Sequence, residues 1–242
     1  MERAFTLTID WLAFTIPKAS REEIMQRVGG QWSQSETGFR GYPKCWMTVD
    51  GLRGIGKLGT GALRCPSEVH VDLSGGIVST WQLDKVRDVL DWVIQNGGHV
   101  TRLDCALDDR SPAVTVAHVK QAVEAGQAVT RAQKFRVVSA SSMSEGTSTG
   151  VTLYFGSGQS QSLLRIYDKR LELQQKGREN WQDYGVRWEL QLRKDRAQAC
   201  ASALVSLSAL DWRQHVVGVL RAYVDFRDTT REASAWERGR AP

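Results

Sequence analysis

The residues best suited to chemistry lie in Leu163-Leu164-Arg165-Ile166-Tyr167-Asp168-Lys169, a run that reads as a β-strand. Side chains two apart on a strand face the same way, so Arg165, Tyr167 and Lys169 share one side and Leu164, Ile166 and Asp168 the other. A tyrosine hydroxyl titrates near pH ~10 when unperturbed, and flanking cations favour the phenolate, the form able to attack a phosphodiester. The same placement also suits a plain sheet tyrosine between snorkelling cations. In Val186-Arg187-Trp188-Glu189-Leu190-Gln191-Leu192-Arg193, the side chains of Glu189, Gln191 and Arg193 project together, opposite Trp188, Leu190 and Leu192. In the run from Arg102 to Asp108, Arg102, Asp104, Ala106 and Asp108 point one way. If these strands are neighbours, Asp104 and Glu189 can share a hard divalent cation, Mg²⁺ or Mn²⁺, that neutralises and orients a scissile phosphate. Asp108 lies roughly 13 Å from Asp104 along the strand, too far for the same ion unless the strand bends.

His70 and Asp72, also two apart, offer an imidazole and a carboxylate that could complete such a site; a histidine simply hydrogen-bonded on a half-buried strand is the plainer reading. The run from Gly51 to Leu58 nearly matches a phosphate-cradling P-loop, but Leu58 stands where the magnesium-binding Ser or Thr is needed and no helix pattern follows. A glycine hairpin turn is the expectation, with Arg53, Lys57 and Arg64 free to touch a DNA backbone alongside Arg102 and Arg193. Of the nine tryptophans, Trp11, Trp92 and Trp188 read as core; Trp46 and Trp81 are less clear, and one could stack on an unpaired base.

The elements that must position these groups alternate. The opening run Phe5–Ile16 reads as a long strand ended by Pro17. Ser20 and Glu23 make a capping box for a short helix stopped by Gly29-Gly30. Glycines from Gly38 to Gly61 suggest hairpins. Glu68–Ser74 reads as a strand closed by Gly75-Gly76, and Ser79 with Gln82 as a second capping box before a helix carrying Leu83, Val86, Leu90 and Val93. A strand over Val100–Asp108 leads to a helix around Val116, Val119 and Val123. The polar stretch Ser139–Gly150 reads as a mobile loop, Val151–Phe155 as a strand, and Ala197–Phe226 as helical. The expected fold class is α+β, a largely antiparallel central sheet with flanking helices.

The 242 residues, 41% hydrophobic, suit one domain over 1–228 with a polar tail over 229–242. The formal charge of +5 suits a phosphate-bearing partner without requiring one. Four cysteines without a CxxC pair indicate neither a zinc site nor a disulfide framework. With no signal-like N-terminus and no apolar run of membrane-spanning length, a soluble, cytoplasmic protein without a membrane partner is expected.

Six segments in order resemble the replication initiation factor family, the trans-acting Rep proteins of rolling-circle plasmids, with relatives in filamentous phages and integrative elements. They are Ile9–Thr15, His70–Gly75, Thr101–Asp109, Thr152–Ser157, Leu164–Lys169 and Arg187–Arg193. The resemblance implies a fold similar to that of the nickases and relaxases with a His-hydrophobic-His motif, whose counterpart here is His70-Val71-Asp72. It implies metal-dependent nicking and closing of single-stranded, hairpin or cruciform origin DNA through a 5′-phosphotyrosine. Tyr167 best matches the nucleophile, with Arg165 and Lys169 on the scissile phosphate and Asp104 and Glu189 as the acidic metal site. Tyr154 is the rival nucleophile, but its chain neighbours Leu153 and Phe155 are apolar. Expected partners are origin DNA, a host helicase and a second copy of the chain. A conjugative relaxase shares the chemistry, and a non-catalytic DNA-binding initiator or repressor would need neither metal nor tyrosine.

Overall fold

The computed structural model describes residues 5–49, 55–110, 114–141 and 148–227, apart from the side chains at 140, 148 and 149. In chain order the elements are β1 (Phe5–Ile16), α1 (Arg21–Val28), β2 (Trp32–Ser35), β3 (Lys44–Thr48), β4 (Gly56–Thr60), β5 (Val69–Ser74), α2 (Gly75–Val78) and α3 (Leu83–Gln95). They continue as β6 (His99–Asp109), α4 (Val116–Glu124), β7 (Ala128–Thr130), β8 (Phe135–Ser141), β9 (Ser148–Phe155) and β10 (Ser162–Asp168). The last are α5 (Lys169–Gln175), a 3-10 turn (Glu179–Asp183), β11 (Val186–Arg193), α6 (Asp195–Ser206), α7 (Trp212–Tyr223) and β12 (Val224–Phe226). The expected mixed fold with a large antiparallel sheet is present.

The chain divides into two compact units: Met1–Leu7, Ala106–Gln191 and Asp211–Pro242 in the first, Thr8–Cys105 and Leu192–Leu210 in the second. Within the second unit, strands run in the order β2-β3-β4-β5-β1. The β1–β5 register sets Ala13 opposite Asp72 and Thr15 opposite His70. Leu12, Phe14, Ile16, Val71 and Leu73 are buried, and α3 adds its stripe of Val86, Val89, Leu90 and Val93. Each such side chain stabilises the fold by roughly 1.5–3 kcal/mol relative to leaving it in water.

Within the first unit the order is β11-β10-β9-β8, antiparallel through β10, β9 and β8. Leu153, Phe155, Leu164, Ile166, Trp188 and Leu190 are buried, and Phe226 meets the rings of Phe155 and Trp188 edge-on at 6.4 and 6.3 Å. β11 is buried over all but its last residue, so its polar side chains are interior rather than solvated.

Several local expectations change. Gly75 opens a short helix, because a Cβ there would lie 2.7 Å from the Asp10 carbonyl oxygen; only glycine permits that approach. Ser79 ends this helix, and Gln82 starts α3 without a side-chain cap. The polar stretch Ser139–Gly150 is partly strand, since β8 runs to Ser141 and β9 starts at Ser148; 142–147 lie outside the described residues. With Val137 and Val138 both exposed, β8 lacks the in-out alternation that marks a half-buried strand. Trp11 and Trp92 are half-buried rather than core. The expected helical segment after Ala197 is two helices followed by β12. The expected tail over 229–242 lies outside the described residues.

Candidate active site

Tyr167 and Arg165 sit on β10, held by the β9 register that sets Arg165 opposite Tyr154 and Tyr167 opposite Thr152. The β8–β9 register continues both rows, Arg136 opposite Tyr154 and Val138 opposite Thr152. Directly opposed residues share a sheet face. One face therefore carries two rows, Arg136-Tyr154-Arg165 and Val138-Thr152-Tyr167. Thr152, Tyr154, Arg165, Tyr167, Asp168 and Glu172 line an open cleft of about 260 Å³ there.

The Tyr167 hydroxyl donates to Glu189 Oε2 at 3.2 Å, and Arg165 Nη2 donates to Glu189 Oε1. Glu189 is 1% exposed. A carboxylate so buried needs a countercharge, which Arg165 supplies, and its second oxygen is left to fix the phenol. The expected shared face of Glu189, Gln191 and Arg193 thus delivers Glu189 to the tyrosine.

Lys169 departs from its expected strand position. Asp168 accepts a hydrogen bond from the Leu171 amide at 2.9 Å, capping α5, so Lys169 is the first helical residue. Its ammonium lies 5.8 Å from the Tyr167 ring centroid and donates to Glu172 Oε2 at 2.6 Å. Lys176 takes the other oxygen at 2.6 Å. Burial raises the Glu172 pKa, but the two ammonium groups outweigh it and hold the carboxyl below its ordinary value.

The other expected ligands are engaged in the second unit. Asp104 accepts from Arg102 Nε and Nη2 at 3.0 and 2.6 Å, and the Arg102 guanidinium lies 4.0 Å over the Trp11 ring. Asp72 accepts from Trp11 Nε1 at 2.6 Å and Arg40 Nη2 at 2.7 Å. Arg40 and Gly41 have positive φ (49° and 86°), forming a tight turn between Phe39 and Tyr42, whose rings stack on His70 at 5.9 and 5.6 Å. His70 Nδ1 lies 3.0 Å from Thr15 Oγ1, and its buried Nε2 has no hydrogen-bond partner among the described residues. Burial, with the Arg40 charge, lowers the His70 pKa.

These residues do not fit a metal ion as they stand. Asp104, Glu189 and Asp72 are each held by an arginine, and among the described residues no three His, Cys, Asp or Glu side chains form a metal cluster. Of the four expected ligands, His70 is the one with a buried side-chain atom that has no hydrogen-bond partner among the described residues. Asp108, in the first unit, is bound by Arg187 Nε and Nη2 at 2.7 and 2.8 Å.

Among the cations expected at DNA, Arg64 is exposed and Lys57 lies over the Phe39 ring at 5.1 Å. Arg102 is committed to Asp104, Arg193 is half-buried at the end of β11, and Arg53 lies outside the described residues. Arg136, Arg40, Arg187 and Glu172 escaped the sequence reading. Only Glu172 left a local trace: Asp168 begins a capped helix that brings Glu172 back to Lys169 at (i, i+3).

The family described as replication initiation factor matches residues 98–240, more than half of the chain and all of β6 to β12. This chain belongs to the replication initiation factor family. A relative is the "Putative DNA relaxase NicK" of Bacillus subtilis (strain 168), 31% identical over 137 residues. That alignment covers 56% of this chain and only 38% of the relative. A structure of the rolling circle replication initiator protein from Geobacillus stearothermophilus superposes with a TM-score of 0.77 at 22% identity, covering 97% of this chain and 91% of that one. This chain thus shares the fold of that initiator.

Proposed function

We propose that this initiation factor nicks and rejoins one DNA strand at a replication origin, with Tyr167 as the nucleophile. The observation that carries the reading is the Tyr167 hydroxyl held on a buried carboxylate that is itself held by Arg165, beside an open cleft.

In the proposed step the Tyr167 oxygen attacks phosphorus, the bond from phosphorus to the 3′ oxygen breaks, and the 5′ side stays on the enzyme as a phosphotyrosine while the 3′ oxygen leaves as a hydroxyl, gaining the proton that Glu189 takes from the phenol. A carboxylate of ordinary pKa near ~4.3 is a weak base for a phenol near ~10. Glu189 therefore orients the hydroxyl at rest and accepts its proton as the new bond forms and the phenol acidifies. Arg165 and Lys169 place positive charge where the phosphate oxygens gain negative charge. Attack by the 3′-hydroxyl on the phosphotyrosine reverses the step and rejoins the strand, so the bond energy is kept.

The resemblance also implies a divalent ion, Mg²⁺ or Mn²⁺, with Asp104, Glu189, His70 and Asp72 as the residues expected to hold it. Asp72, Asp104 and Glu189 are each paired with an arginine, which would have to give way before an ion could bind them. Metal dependence is read directly as adduct formation with Mn²⁺ against EDTA. Origin DNA is the proposed partner, in the cytoplasm, with a host helicase and a second copy of the chain as proposed protein partners. The likeness to a relaxase extends the proposal to a transfer origin, where the same chemistry applies.

Tyr154 is the rival on a specific observation. Across the strands it lies between Arg136 and Arg165, so its surroundings are more cationic than its chain neighbours suggest. Among the described residues no carboxylate holds its hydroxyl, and this ranks it second. Trapping the denaturation-resistant adduct on labelled single-stranded origin DNA tests the assignment: Tyr167→Phe should abolish it and Tyr154→Phe should not. The reverse pattern moves the nucleophile to Tyr154.

A further inference from the structure

The row Arg136-Tyr154-Arg165 holds two groups that the proposed strand transfer leaves unused. Arg136 is exposed and no carboxylate pairs with it among the described residues, whereas Arg40, Arg102, Arg165 and Arg187 are all in ion pairs. Its guanidinium lies 5.1 Å from the centroid of the Tyr154 ring. Tyr154 is half-buried on the cleft wall, and its hydroxyl has no partner among the described residues. Val138, on the same face one row away, is 46% exposed. An unpaired cation, an aromatic ring and an apolar shelf beside the nucleophile are the ingredients of a single-strand platform.

We infer that Tyr154 and Arg136 form a subsite for an unpaired nucleotide next to the scissile phosphate, the base stacking on the Tyr154 ring and its phosphate meeting Arg136. This rests on the strand-transfer reading of the same cleft. Adjacent strands lie ~4.8 Å apart, so the Cα atoms of Arg136 and Arg165 are roughly 10 Å apart with Tyr154 between them. Two long arginine side chains over that span can grip successive phosphates of an extended strand. A paired base keeps its faces inside the duplex stack, so the platform selects single-stranded over duplex DNA at the nick. Tyr154 and Arg136 are then positioning and specificity residues, and Tyr167 remains the group that reacts.

The test separates binding from chemistry by using the full chain with Tyr167→Phe, in EDTA. Fluorescence anisotropy measures affinity for a labelled oligothymidylate of about 12 nucleotides, within the span of single-strand sites, and for a duplex of equal length. Adding Tyr154→Leu should weaken single-strand binding by roughly 5- to 150-fold, the loss of one base stack, and shift duplex binding by no more than about twofold. Tyr154→Phe, which keeps the ring, should restore single-strand affinity. Arg136→Gln should weaken binding and flatten the log-log salt dependence by about 0.7, one phosphate contact. Unchanged single-strand affinity in Tyr154→Leu, equal losses on single strand and duplex, or an unchanged salt slope in Arg136→Gln would overturn the subsite. Because no cleavage is required, these outcomes are independent of whether Tyr167 forms an adduct.

Discussion

At the scale of single residues, the site depends on one carboxylate serving two partners. Glu189→Gln keeps the shape and a hydrogen bond to Tyr167 but removes the charge that balances Arg165. Nicking should fall by about 10²–10⁴-fold, the usual worth of a positioned proton acceptor, with single-strand binding retained; wild-type rates in single-turnover cleavage would remove Glu189 from the mechanism. His70 makes a second residue-scale prediction. Its folded pKa lies below its unfolded value near ~6.5, so the unfolded chain binds the proton more readily. Stability should be fully present above pH ~6.5 and decline as pH falls below it, a loss that His70→Phe should reduce in thermal melts taken down to pH ~5.5. Alternation along a strand was enough to place Arg165 and Tyr167 on one face. It could not reveal that Tyr154 lies opposite Arg165, because that depends on the register between strands.

At the scale of elements, two polar contacts decide whether the site is held. Asp168 ends β10 and caps α5, the helix that carries Lys169 and Glu172 along the cleft. Asp168→Ala should lower stability by about 1 kcal/mol, the common cost of a lost N-cap, and slow nicking as well; denaturant melts read the first and single-turnover cleavage the second. Arg187 and Asp108 are 5% and 1% exposed and bound to each other. Arg187→Ala leaves a buried carboxylate without its charge and should cost about 3–5 kcal/mol in urea unfolding; a cost under about 1 kcal/mol would mean that Asp108 finds another partner. The strands at Phe5–Ile16 and Val186–Arg193 were legible because apolar residues alternate there with polar ones over much of each run. β8 was not legible, because an edge strand exposed at consecutive valines has no period to read.

At the scale of the whole molecule, six short segments in order identified the family, although each alone is a weak pattern, and the family match from 98 to 240 covers four of them in full. What meets the expected metal-binding carboxylates was the part the sequence could not convey. Spacing puts carboxylates on strand faces, but whether a cation or an arginine meets them is decided by residues distant in sequence, Arg40 for Asp72 and Arg165 for Glu189. Strand transfer as proposed stands or falls on a covalent intermediate at Tyr167. The most direct measurement is to incubate the protein with labelled origin single strand and Mn²⁺, isolate the denaturation-resistant adduct and sequence the nucleotide-bearing peptide by mass spectrometry. A nucleotide on the peptide containing Tyr167 and no adduct in Tyr167→Phe are expected; an adduct on another residue, or DNA binding with no adduct in any metal, would rule out Tyr167 as the nucleophile.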